Sequence, residues 1–162
     1  VLQKNRKSDA FTLVELLLGL AITAILLVAV AAALNASAVN YKANEDIFKA
    51  MNDARQALTR MTNQLRTANA VDFSTPANHQ CSFFTATNED ITYEFRSADN
   101  KLYLITNANS NEYVLCDNVT AATFTKTDDG TKCKSVQISL TVTVGSISQN
   151  LSAASVIRRN LQ

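Results

Sequence analysis

The stretch Leu16 to Leu34, "LLLGLAITAILLVAVAAAL", holds no charge and no proline, and its only polar side chain is Thr23. At a helical rise it spans roughly 28 Å, about the hydrocarbon thickness of a bilayer. It therefore reads as one membrane-length segment that divides the 162-residue chain. Ahead of it stand Lys4, Arg6 and Lys7; behind it the sequence turns polar and rich in Asn, Thr and Ser. This asymmetry of basic residues predicts a cytoplasmic N-terminus and a domain on the far side of the membrane.

From Asn35 to about Ala70 the pattern stays helical. Ile47, Met51, Ala54, Leu58, Met61, Leu65 and Ala68 recur at alternating spacings of four and three, a narrow apolar stripe with Asp53, Arg55, Arg60, Asn63 and Arg66 elsewhere on the surface. No proline or glycine falls between Gly19 and Pro76. The spacing thus predicts one continuous helix from about Thr12 to Ala70, roughly 90 Å long at standard rise. Beyond "STPANHQ" the period changes from 3.6 to 2. "DITYEFRS", "KLYLIT", "EYVLCD", "ATFTK", "VQISLTVTV" and "ISQNLSAASVIRR" read as strands, with turns at "SADNK", "TDDGTK" and Gly145–Ser146. The expected architecture is α+β, a long N-terminal helix laid across an antiparallel sheet. Four segments follow: a basic leader at 1–10, a membrane helix at 11–34, its amphipathic continuation at 35–70 and an extracytoplasmic β domain at 71–162.

Several function classes lose support at this level. The formal net charge is +1, and the leader alone carries +2 from Lys4, Arg6 and Lys7 against Asp9, so the remainder is near −1. Bulk charge gives no support to nucleic-acid binding. Lys126, Lys132 and Lys134 form no more than a solvated edge around Asp128 and Asp129. Those two carboxylates, beside Gly130, read as a turn and are too few for a calcium site. His79 stands alone in a Pro/Asn loop, and the three cysteines, Cys81, Cys116 and Cys133, lack zinc-type spacing. We expect no metal and no cofactor. With no phosphate loop and no nucleophile elbow, we also expect no catalytic residue. An oxidising compartment permits one disulfide; predicted strand edges favour Cys116–Cys133, and the alternative is that all three cysteines are small core residues.

Glu15 remains to be explained, since a carboxylate is costly at the head of an apolar helix. A secretory signal peptide would use "ASA" at Ala36 to Ala38 as its cleavage site, but its apolar core is too long; an uncleaved anchor fits the length. Neither gives Glu15 a role. The junction "SDA|FTLVE" resembles the class III signal of type IV prepilins and pseudopilins: a short basic leader, then Phe-Thr-Leu-[Ile/Val]-Glu and an apolar helix. Every position from Phe11 to Glu15 fits; Ala10 departs from the usual glycine. The resemblance implies a type IV pilin-like fold, cleavage by a prepilin peptidase between Ala10 and Phe11, and methylation of the Phe11 amine. It also gives Glu15 an assembly contact, pairing with the N-terminal amine of a neighbouring subunit. Pairing within the chain, four residues apart on a helix, stays open. Gly19 and Thr23 would allow close helix packing in the bundle.

The order of the hairpins and the Arg159–Asn160 ending resemble the J-type minor pseudopilins of type II secretion and the W-type minor pilins alike. That likeness implies a minor subunit of a pseudopilus or pilus, in the initiating complex at or near the tip. Glu15 argues against the extreme tip position, whose subunit tends to lack it. The implied partners are other pilin or pseudopilin subunits, the prepilin peptidase and, before assembly, the lipid of a bacterial inner membrane, with the β domain in the periplasm. The competing class is a binding domain, anchored by an intact span or released after Ala38, that joins no filament.

Overall fold

The computed structural model describes residues 11–72, 78–128 and 130–158. Lys4, Arg6, Lys7, Ala10, Pro76, Asp129 and the Arg159–Asn160 pair lie outside them. One helix, α1 (Leu13–Thr67), runs without a break. Its residues fall into two compact units, one reaching Lys42 and one from Ala43 onwards.

In the first unit every described side chain is exposed, including Leu13, Leu20, Leu27 and Leu34. A helix bonds all its own interior backbone groups, so it needs no tertiary partner to persist in an apolar medium. Nothing within this unit covers its side chains.

In the second unit α1 becomes amphipathic. Ala50, Ala54, Ala57, Leu58, Met61 and Leu65 are buried, and Ala68 follows just past the helix end. The expected stripe is thus present but widened. Ile47 and Met51 are only partly buried, while Ala50 and Ala57, which the heptad-like spacing leaves out, lie in the core. Alanines lose no side-chain entropy and let a backbone approach closely. The helix ends where Thr67 Oγ1 turns back onto the carbonyls of Asn63 and Gln64, both at 3.2 Å. The chain then leaves to pair as a strand, with the Asn69 amide donating to the Phe84 carbonyl at 2.9 Å.

Eight strands follow: β1 (Ala70–Val71), β2 (Gln80–Phe84), β3 (Asp90–Arg96), β4 (Lys101–Thr106), β5 (Asn111–Cys116), β6 (Val119–Asp128), β7 (Cys133–Val144) and β8 (Ile147–Val156). They form two antiparallel sheets instead of the one expected: β1-β2-β3-β4-β5 and β6-β7-β8. The alternation in "VQISLTVTV" is kept without a slip, Val136, Ile138, Leu140 and Val142 all being fully buried. β1 and β2 are additions to the sequence reading. In β2, Cys81 and Phe83 point into the core, and Phe83 stacks on Tyr93 with ring centroids 5.4 Å apart. His79 is exposed, immediately ahead of this strand.

The hairpin turns meet the backbone demands with few glycines. Gly145 turns β7 into β8 at φ +60°, while Asn100, Ser110 and Asn118 take positive φ at the other turns. Asn tolerates that region better than most residues.

Two polar contacts tie α1 to the sheets. The Tyr93 hydroxyl donates to Gln64 Oε1, and Ser155 Oγ donates to the Thr62 carbonyl at 3.0 Å. Burial pushes the Tyr93 phenol well above its ordinary value. On the opposite side, Arg96 donates to Glu94 and Glu112 at 2.8 and 2.5 Å and lies 4.5 Å over the Tyr103 ring, joining β3, β4 and the edge strand β5.

Core substitutions should grade with this geometry. In urea titrations of the full chain in detergent, Ala54→Leu is expected to destabilise by about 2 kcal/mol through overpacking. Leu65→Ala should cost about 3 kcal/mol through cavity formation, and the exposed Phe48→Ala should stay within about 0.5 kcal/mol. Glu112 tests the edge clamp: its hydrogen bond from Arg96 holds the carboxyl below its usual value. Its contribution should be complete above the unfolded carboxylate value of roughly 4.3 and vanish as pH falls through the lower folded one. NMR titration of its side chain reads this directly.

Candidate processing and assembly site

The N-terminal end of α1 gathers the candidate residues. Phe11 and Thr12 precede the first helical residue, Leu13, and the Leu16 amide donates to the Thr12 carbonyl at 3.2 Å, which makes Thr12 the cap of the helix. The Glu15 carboxylate turns back onto Thr12. It accepts from the Thr12 amide at 3.0 Å and from the Thr12 hydroxyl at 2.9 Å. The Glu15 amide faces Thr12 Oγ1 at 3.3 Å in return. This is a reciprocal capping box, which satisfies two of the amides a helix start leaves without partners. A carboxylate at this end also complements the positive pole of the helix.

The box has a plain sequence signature, a threonine followed three residues later by a glutamate ahead of an apolar run. It overlaps the Phe-Thr-Leu-Val-Glu motif, and the reading of Glu15 as an intersubunit contact passes over it. The structure therefore brings Thr12 and Glu15 together, a pair that the sequence reading did not single out.

One turn further on, Thr23 Oγ1 donates to the Gly19 carbonyl at 2.7 Å. The hydroxyl is thereby satisfied inside its own helix, as a polar group in an apolar surrounding must be. A Cβ placed on Gly19 would meet nothing within 4 Å, so nothing among the described residues requires a glycine there. Around these residues Leu16, Leu17, Leu20, Ile25, Leu26 and Leu27 are each more than half exposed. The helix is long and apolar enough to cross a membrane.

Other chemistry is sparse. Among the described residues no group of three His, Cys, Asp or Glu side chains could hold a metal ion. An open cleft of about 360 Å³ lies between α1 and the β5–β6 turn, lined by Asp46, Lys49, Asp53 and Asp117. Two of its charges are already engaged, Lys49 with Glu45 at 2.7 Å and Asp117 with Lys101 at 3.4 Å. The three cysteines are buried. Of the pair favoured by the strand edges, Cys116 closes β5 of one sheet and Cys133 opens β7 of the other.

Residues 5–31 match the family model described as the prokaryotic N-terminal methylation motif. No curated protein and no solved structure matches the chain. The architecture defines a class: a helix long and apolar enough to cross a membrane, followed by an antiparallel sheet domain. The matched motif makes the statement narrower. The chain carries the type IV prepilin signal, the prokaryotic N-terminal methylation motif, at the head of this helix.

The capping box is testable on its own. Thr12→Val removes the hydroxyl from both side-chain bonds, and hydrogen exchange at the Glu15 amide should quicken roughly fivefold in detergent micelles. Exchange at Thr62, far along the same helix, should not change.

Proposed function

We propose that this chain is a structural minor subunit of a type II secretion pseudopilus or a type IV pilus. It assembles through its N-terminal helix and takes a place in the initiating or tip-proximal complex. The observation that carries this reading is the methylation motif at residues 5–31 on a helix whose apolar side chains from Leu13 to Leu34 are exposed. A segment of this kind needs lipid before assembly and neighbouring helices after it.

The steps follow from the residues. The peptidase cuts between Ala10 and Phe11 on the cytoplasmic side, and the amine of Phe11 is methylated. A methylated secondary amine keeps its positive charge, so a cation then stands four residues from Glu15. In the uncut chain the Glu15 carboxylate is held by Thr12. In a filament the amine of a neighbouring subunit replaces or shares that partner, pairing two charges that each cost energy alone in an apolar medium. Gly19, with no Cβ, leaves room for an adjacent helix. The sheet domain lies on the periplasmic side, the span in the bacterial inner membrane until assembly. Proteins carrying the motif are structural subunits, and the role proposed for this one is non-enzymatic.

The capping box also favours a second reading. Glu15 has a complete intrachain role in starting its own helix, which an anchored extracytoplasmic binding domain outside any filament would use equally well.

The N-terminus of the protein from its native membrane separates the two. Intact mass and terminal peptide sequencing should show a chain that begins at Phe11 and carries one added methyl. A start at Val39, or a retained leader, rejects the filament reading. With a Phe11 start established, Glu15→Ala should leave cleavage intact and reduce co-purification with assembled filaments at least tenfold. Thr12→Val, which touches only the cap, should not.

A further inference from the structure

A sheet edge offers a row of unpaired amides and carbonyls to any strand that meets it. Among the described residues, three of the edges of the two sheets are blunted. β1 is two residues long. β5 carries Glu112, clamped by Arg96, and its pairing with β4 slips between Leu102 and Tyr103. β6 has two irregularities, and its outward side already meets other parts of the domain. The Val119 amide donates to the Asn100 carbonyl at 2.9 Å, and the Phe124 amide to the Asn78 carbonyl at 2.7 Å. β8 has none of these devices. Its ten residues hold no charge, no proline and no glycine, and it pairs with β7 from end to end without a slip.

The outward groups of β8 follow from the ladder. In an antiparallel pair, facing residues alternate between those that exchange backbone hydrogen bonds and those that do not. The two-residue turn Gly145–Ser146 makes Val144 and Ile147 a bonded pair. At the other end the Ile157 amide donates to the Lys134 carbonyl at 2.9 Å. Both ends give one parity, so Ile147, Gln149, Leu151, Ala153 and Ser155 turn their backbone groups to β7. Ser148, Asn150, Ser152, Ala154 and Val156 turn theirs away from it, and among the described residues no hydrogen bond reaches those groups. All five residues are exposed. Ser139 Oγ donates to Asn150 Oδ1, and Thr143 Oγ1 to Ser148 Oγ, both at 3.1 Å, which holds two of these side chains over β7 and clear of the edge.

We propose that β8 pairs with β8 of a second copy of this chain, antiparallel, about a two-fold axis at Ser152. Such an edge takes an extended backbone as its partner, and the sequence of β8 suits itself. Centring the pair on Ser152 sets Ser148 opposite Val156 and Asn150 opposite Ala154, with each outward amide against an outward carbonyl. No like charges meet; the first charge beyond β8, Arg158, falls level with Ser146. Val156, the largest of the five side chains, meets a serine. The two three-stranded sheets become one of six strands, through a contact that uses the same surface on both copies. It is one strand wide, so it forms and parts with concentration. It uses the sheet domain alone and does not depend on the filament reading.

The test is amide hydrogen exchange on the full chain in detergent micelles, resolved by residue across a dilution series. At high dilution the amides of Ser148, Asn150, Ser152, Ala154 and Val156 should exchange fast while those of Leu151 and Ala153 stay protected. At high concentration the five should slow by about tenfold or more. Fast exchange at every concentration, however the micelles associate through α1, overturns the pairing. Protection at every dilution overturns it too, because the edge is then covered within one chain. Ser152→Lys and Ser152→Glu each set like charges across the axis, and each should lose the slowing while Leu151 and Ala153 keep their protection. An equal mixture of the two variants should regain it. Single variants that keep the slowing, or a mixture that fails to regain it, overturn the two-fold at Ser152.

Discussion

A helix bonds its own interior amides and carbonyls, and that self-sufficiency is the constraint on which this chain is built. It lets α1 carry an all-round apolar surface over its first half and a one-sided apolar face from Ala50 to Leu65 without any change of backbone. Self-sufficiency fails at only one kind of place, the helix end, where the first amides have no partner. In a water-soluble domain those amides would reach solvent. At the head of a lipid-length segment they need a partner from the chain, and Thr12 with Glu15 supplies one.

The carboxylate of Glu15 thus has work before any neighbour arrives. The intersubunit pair proposed above would be a second use of the same group, since a carboxylate accepts several hydrogen bonds at once. A glutamate set three residues after the cap is suited to both. Its chain reaches back over the first turn, toward the place where a free amine at Phe11 would stand. The position of the charge and its chemistry follow from the same helix start.

Much of this was legible in the residues. The apolar run, the stripe through Leu58, Met61 and Leu65, and the alternation of β3 and β7 all have periods that only one element type satisfies. The motif from Phe11 to Glu15 was legible as well, and it lies within the matched residues 5–31. Other features were hidden for physical reasons. Gln80 to Phe84 is short and follows a Pro/Asn-rich break, so two inward residues, Cys81 and Phe83, give too little alternation to mark a strand. The division into two sheets leaves no periodic trace, because period reports which face is buried and not which strands pair. Ala50 and Ala57 were overlooked because small residues weigh little in an apolar count, although they mark where α1 is most closely packed.

The turns have a consequence of their own. Asn88, Asn100, Ser110 and Asn118 all hold positive φ, a region where side chains other than glycine meet steric resistance. Asparagine relieves part of it through its short polar side chain; serine relieves less. The domain thus has reserve stability that lies at its rim and not in its core. The sheets can be tightened at Ser110 without altering any packed side chain, and a chain with that latitude can diversify its surface loops widely while its interior stays the same.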